Sequence, residues 1–293
     1  MARHVVKIFG ERNTGTRALG ALLRQLPDVG HRVAAPAAAA ADGALEAAIE
    51  TQMRGAWKKL YLHALRDEAA AREAESDPWK HALPRLTPAM VAAGAGVVVM
   101  VRNPYSWLVG LARRPYHIKG PNAETLDAFA ARPWMTERRE GMAAVVASPV
   151  DLWAEKAAAA LALPARAAAE GLACHRLRFE DFVADPAGTA RACADALALP
   201  AGEIKPRERN TKAGEAGLAT LQSYYSREHW RGWLTRSAVA RVNARLDPDV
   251  VRALGYAFLA PDDFPDTLPE EVAAAMAEEM ASLRAPAHRA LPG

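Results

Sequence analysis

The chain is 293 residues long, 51% hydrophobic and 24% charged, a balance that allows one sizeable core and excludes global disorder. Its formal net charge of +3 suits an anionic ligand and is too small for a dedicated nucleic-acid binder. Cys174 and Cys193 form no disulfide framework and read as small core residues. No Cys/His spacing suits zinc, no apolar run reaches eighteen residues, and Met1–Lys7 lacks the pattern of a secretory leader. The expectation is a cytoplasmic protein with no metal, no membrane span and no nucleic-acid partner.

His4–Gly10 (HVVKIFG) predicts a short strand buried in a parallel sheet. Glu11–Gly15 is a polar loop. Thr16–Leu26 predicts a helix, because Leu19, Leu22, Leu23 and Leu26 recur at i, i+3, i+4 and i+7 ahead of Pro27. Residues 34–48 are Ala-rich, 57–74 predict a helix of mixed charge, and 88–93 a short helix. Gly96–Val101 (GVVVMV) is the clearest strand, followed by Asn103 as helix cap and Pro104 as first helical residue, with the helix running to about Arg113. Residues 113–149, rich in Pro, Arg, Trp and Tyr, predict an irregular, surface-lying insert.

Further along, 150–163 predict a helix, Cys174–Phe179 a third strand, 185–199 a helix entered through Asp185-Pro186, and 205–217 a basic loop. Residues 237–254 predict a single helix stopped by Gly255, and 268–283 an acidic helix before a frayed tail. Strands alternating with helices predict an α/β fold of three layers around a central parallel sheet. Ligands of such sheets collect beyond the strand C-termini, which points to 11–16 and 102–106. The domain reading is a single unit over 1–260 carrying the insert 113–149, then a C-terminal helix and tail over 261–293.

Three clusters carry candidate chemistry. The first is Glu11-Arg12-Asn13-Thr14-Gly15-Thr16-Arg17. A helix start leaves backbone N–H groups unpaired and partially positive, Gly15 permits a left-handed turn, and Thr14, Thr16, Arg12 and Arg17 add donors and charge. The Walker A pattern is missing, which disfavours an ATP-cleaving enzyme. The second is Arg102 at the end of the clearest strand, where a buried guanidinium needs an anion such as phosphate or a local carboxylate. The third is Lys80-His81, in which His81 can accept a proton near neutral pH.

Together these segments resemble the PAPS-dependent sulfotransferase family. FGERNTGTRAL is similar to that family's 5′-phosphosulfate loop, VVVMVRNPYSWLVG to its 3′-phosphate segment, and WKHALP to the neighbourhood of its general base. LRFEDFVADPAGTARACADALAL resembles the strand-turn-helix that follows. The likeness covers about 3–26, 79–112 and 150–200, and more weakly 205–256.

The resemblance implies a P-loop-like sulfotransferase architecture and PAPS as sulfuryl donor. Asn13, Thr14, Gly15 and Thr16 would hold the 5′-phosphosulfate, and Arg102, with Arg209 and Lys212 of the basic loop, the 3′-phosphate. His81 would be the base, with Glu11 a weaker second candidate. Two positions depart from the family. Asn13 stands where many members have Lys, so that Arg12, Arg17 or Lys80 must substitute. Gly110 stands at a usual Ser, with Ser106 one turn earlier as its candidate replacement. The acceptor implied is a hydroxyl or amine of a small molecule, glycan or lipid, covered by the insert with its Tyr116, His117 and Trp134. Two other readings remain open. A P-loop-like kinase would need Glu180 and Asp181 near a metal, and a non-catalytic nucleotide-binding protein of the same fold would account for Asn13 and Gly110.

Overall fold

A computed structural model of the chain describes residues 4–32, 43–116, 122–205 and 217–281. In chain order, β1 (His4–Gly10), α1 (Thr16–Leu23) and β2 (Val29–Arg32) precede a helical pair, α2 (Gly43–Gln52) and α3 (Gly55–Glu73). Then come α4 (Pro88–Ala92), β3 (Gly96–Val101) and α5 (Pro104–Arg113). The insert contains α6 (Leu126–Ala131) and a two-stranded ladder of β4 (Trp134–Met135) and β5 (Val145–Val146). The long α7 (Pro149–Ala169) leads to β6 (Cys174–Arg178), α8 (Phe179–Ala184) and α9 (Pro186–Ala196). The chain continues through α10 (Leu218–Ser226), α11 (Arg236–Asn243), α12 (Pro248–Ala253) and α13 (Glu270–Ala281).

The central sheet has the order β2-β1-β3-β6, every neighbouring pair parallel. This is the α/β class predicted, with helices on both faces. Strand alternation explains the layering. Val6 and Ile8 of β1, with Val98 and Met100 of β3, point into a core shared with α1 and α9. Phe9, Val97, Val99 and Val101 point the other way, into the larger core with α5 and α7. Because β1 and β3 are paired side by side, the loops leaving their C-terminal ends are neighbours. That adjacency builds the site.

Several local expectations need correction. The helix predicted over 237–254 is two helices. Pro248 cannot continue the first and instead opens the second, and Asp247 caps it by accepting from the N–H groups of Asp249 (2.8 Å) and Val250 (3.4 Å). The insert is not surface-lying throughout, since Phe129, Trp134 and Glu140 are buried. Trp134 packs edge-on against Tyr116 and Phe129, the anchoring role of a large aromatic. The edge strand β2 leaves no signal in the sequence, since VGHR is too short and too polar to show a period. Near the C-terminus, α13 packs Met276 and Met280 into the larger core, and its Glu279 pairs with Arg113 of α5. Burial pushes the Cys174 thiol up to about 11, which suits the structural reading of that residue. Among the described residues, no helix is long and apolar enough to cross a membrane.

Candidate nucleotide site

Between β1 and α1 the chain turns through two left-handed residues, Asn13 (φ 65°) and Gly15 (φ 77°). Asn is among the few side-chain-bearing residues that adopt this conformation readily, and Gly does so without penalty. A Cβ on Gly15 would also lie 3.2 Å from the Phe182 ring, so the position is closed to larger residues twice over. Thr14 and Thr16 are buried, and the Thr14 hydroxyl donates to the Glu11 carbonyl, bracing the turn from inside. Among the described residues, none accepts a hydrogen bond from the backbone N–H of Asn13, Thr14, Gly15, Thr16 or Arg17. These donors sit at the positive end of α1, and Arg17 is exposed on its first turn.

Arg102, at the end of β3, lies against this turn and is 4% exposed. Its Nη1 donates to the Asn13 carbonyl (2.8 Å), the carbonyl of a residue whose left-handed conformation helps set its direction. Its Nε donates to Ser106 Oγ (3.0 Å), and its Nη2 to the Ser106 carbonyl (2.7 Å) and to Tyr225 Oη (2.9 Å). The guanidinium also stacks near the Phe179 and Tyr225 rings, 4.7 and 5.1 Å from their centroids. Every one of these partners is neutral, and among the described residues no carboxylate pairs with it. Among the described residues, the local salt bridge that competed with a phosphate role is not formed. Gly110 has a steric role here: a Cβ would come within 3.2 Å of both terminal nitrogens. Tyr225 can still donate its own hydroxyl proton to an incoming anion while accepting from Arg102.

His81 stands on the other side of the loop. Its Nδ1 lies 2.6 Å from the Gly10 carbonyl. A carbonyl only accepts, so Nδ1 carries the proton and the neutral ring presents Nε2 as a lone-pair base. Burial holds the imidazole well below its ordinary range, and the neighbouring Arg12 and Lys80 push the same way, against the opposing bond to Gly10. The backbone ties the two segments again, since Gly10 N–H donates to the Lys80 carbonyl at 2.9 Å. Lys80 itself is buried beside this junction.

Arg12 points elsewhere. It is clasped between the Trp79 and Tyr116 rings, 4.4 and 3.0 Å from their centroids, and pairs with Glu137 and Glu140 at 3.3 Å each and with Glu11 at 3.6 Å. Burial opposes its charge, yet Tyr116 and these three carboxylates hold the guanidinium above its ordinary value. Its charge is thus compensated within the protein. Lys156 of α7 completes the cluster, with its Nζ 2.5 Å from Glu11 Oε1, 2.5 Å from Glu140 Oε2 and 2.7 Å from the His81 carbonyl. Burial raises Glu140, but Lys156 and Arg12 outweigh it, and the carboxylate ends below its usual range.

The fold brings Asn13, Thr14, Gly15, Thr16, Arg17, Lys80, His81, Arg102 and Ser106 to one edge of the sheet. Arg209, Lys212 and His117 lie outside the described residues. Lys205 is described and is exposed, paired with Glu203. Glu180 accepts from Asn103 N–H (3.0 Å) and Tyr256 Oη (2.9 Å), and Asp181 is paired with Arg178. Among the described residues, no group of three or more side chains suits a metal ion.

Sequence reasoning missed Tyr225, Glu137, Glu140 and Lys156. Only Lys156 left a signal. It falls on the buried stripe of α7 with Trp153, Ala160 and Leu163, and a lysine on an apolar stripe calls for buried anions. No protein-family model matches the chain, and no curated protein matches it in sequence.

Proposed function

We propose that this protein is a sulfotransferase of the P-loop-like α/β architecture, moving a sulfuryl group from PAPS to a hydroxyl or amine acceptor. One observation carries the reading: a buried guanidinium with no carboxylate partner among the described residues sits within a hydrogen bond of a glycine turn whose N–H groups find no acceptor among those residues. A nucleotide with phosphates at both its 3′ and 5′ positions satisfies both at once. Arg102, oriented by Ser106, takes the 3′-phosphate with Tyr225 alongside. The N–H groups from Asn13 to Arg17, with the Arg17 side chain, take the 5′-phosphosulfate.

PAPS, when bound, supplies the activated sulfuryl group. His81 accepts the acceptor's proton at Nε2 as the acceptor oxygen or nitrogen bonds to sulfur and the bond from sulfur to the bridging oxygen breaks. The loop N–H groups and Lys80 meet the negative charge left on the phosphate. As in phosphoryl transfer, most of the catalysis is positioning and electrostatics. The aromatic and acidic insert, packed beside His81 through Arg12 and Lys156, borders the place where an acceptor must lie.

The test is calorimetry with PAP, ADP and magnesium ATP. PAP is expected to bind at least about thirtyfold more tightly than ADP, since charge-assisted hydrogen bonds contribute about 1.5–3 kcal/mol each and only PAP carries a 3′-phosphate. Tighter binding of magnesium ATP than of PAP would overturn the reading in favour of a kinase. Tight PAP binding with no sulfuryl transfer from PAPS to hydroxyl or amine acceptors would leave a nucleotide-binding protein without catalysis.

A further inference from the structure

We propose that Lys156 is a positioning residue that locks the base His81 onto the phosphate loop and ties both to the insert, an inference that rests on the function proposed above. An ammonium has three N–H donors. Lys156 directs its Nζ at three partners on three separate segments: Glu11 Oε1 in the loop after β1 (2.5 Å), the His81 carbonyl (2.7 Å) and Glu140 Oε2 of the insert (2.5 Å). The residue lies on the buried stripe of a 21-residue helix, so its backbone is fixed by the larger core.

The three attachments have distinct consequences. The bond to the His81 carbonyl holds the base from its backbone side, while the Gly10 carbonyl holds its ring at Nδ1 (2.6 Å). The bond to Glu11 fixes the residue directly after Gly10, so ring and loop are referenced to one ammonium. The bond to Glu140 anchors the insert, whose Glu137 and Glu140 also hold Arg12. His81 Nε2 must meet the acceptor within a hydrogen bond of the reacting atom. A displacement of about 1 Å there costs on the order of a hundredfold in rate. Lys156 touches neither nucleotide nor acceptor in this arrangement and acts only through its partners. Removing it alone would leave the buried Glu11 and Glu140 facing each other with Arg12 as their remaining cation, which risks unfolding rather than a clean loss of position.

The informative variant is therefore Lys156→Met combined with Glu140→Gln. It removes one charge of each sign and conserves volume. The new amide oxygen can keep the contacts that Glu140 Oε1 makes to Arg12 and to the Glu137 N–H. Two readouts are compared with wild type in the full-length chain. First, nitrogen NMR of His81 reports whether Nδ1 stays protonated on the Gly10 carbonyl, and amide hydrogen exchange reports Gly10 against the core strand amide of Val99. The variant is expected to lose the fixed His81 tautomer and to exchange Gly10 at least about tenfold faster, with Val99 unchanged. Second, PAPS turnover is measured per PAP-binding site counted by calorimetry. It is expected to fall at least about tenfold with PAP affinity within about twofold. A purely structural lysine would lower the number of PAP sites and leave turnover per site unchanged, and that result overturns the proposal. So does a variant whose His81 and Gly10 signals match wild type. Wild-type protein that binds no PAP would defeat the sulfotransferase reading, while the NMR and exchange comparison still decides whether Lys156 holds His81.

Discussion

Replacing Arg102 with methionine is expected to weaken PAP binding by about a hundredfold or more while changing affinity for adenosine 5′-phosphosulfate by less than about threefold. The difference follows from the ligands: only PAP has a 3′-phosphate for the remaining Nη1 N–H of the guanidinium, and loss of that charge-assisted hydrogen bond costs about 1.5–3 kcal/mol, while Tyr225 Oη loses the donor that orients it beside the phosphate. Lysine at the same position keeps the charge but not the fork. It cannot reach Ser106 Oγ, the Ser106 carbonyl, the Asn13 carbonyl and Tyr225 Oη at once, as Arg102 does, so an intermediate loss of about tenfold is expected. Calorimetry with both ligands, on variants checked for an intact thermal transition, separates the possibilities. Equal losses for the two ligands would mean that Arg102 acts only by bracing the Asn13 carbonyl, and the 3′-phosphate assignment would fail.

The second large effect is at His81. His81→Ala should lower turnover by about 10²–10⁴-fold, the usual contribution of a general base, and leave PAP affinity nearly unchanged. The pH profile carries an independent prediction. Burial, with Arg12 and Lys80, holds the folded-state imidazole well below its ordinary value. The base is therefore already neutral at pH 7, and the acid limb of kcat/KM should lie below about pH 6.5, the ordinary histidine value. The same shift fixes the sign for stability. Below about pH 6.5 the unfolded chain takes up a proton that the folded chain resists, so this histidine's contribution to folding is lost as pH falls through that window. A variant retaining more than about a tenth of wild-type turnover, or a wild-type acid limb above about pH 7, would remove His81 as the base.

The parts of this arrangement that were legible in the sequence are those with a local cause. β3 is a continuous apolar run and β1 a mostly apolar one interrupted by Lys7, and their placement as paired parallel neighbours makes the loops after Gly10 and Val101 adjacent. Asn103-Pro104 and Asp185-Pro186 mark helix starts, and the caps form, with Asn103 Oδ1 accepting from Tyr105 and Ser106 N–H and Asp185 from Gly188 N–H.

What escaped was decided by tertiary contact. Arg12, adjacent to the phosphate loop, reads as a phosphate ligand from its neighbours, but carboxylates more than a hundred residues away capture it. Glu140 sits in a stretch without periodicity, so nothing local marks it as a fully buried charge. Gly110 reads as a missing contact in the resemblance, whereas the structure makes it the space that a guanidinium occupies. Each case is a charged side chain whose partner is chosen by the fold rather than by spacing, and burial then makes the choice expensive to reverse.

A structure determined with PAP bound decides whether one nucleotide bridges Arg102 and the loop after β1. The 3′-phosphate oxygens are expected within hydrogen-bond distance of the Arg102 guanidinium and Tyr225 Oη, and the 5′-phosphate on the N–H groups between Asn13 and Arg17. PAP seated on another face of the sheet, or with its 3′-phosphate turned to solvent and Arg102 untouched, would rule out that bridge.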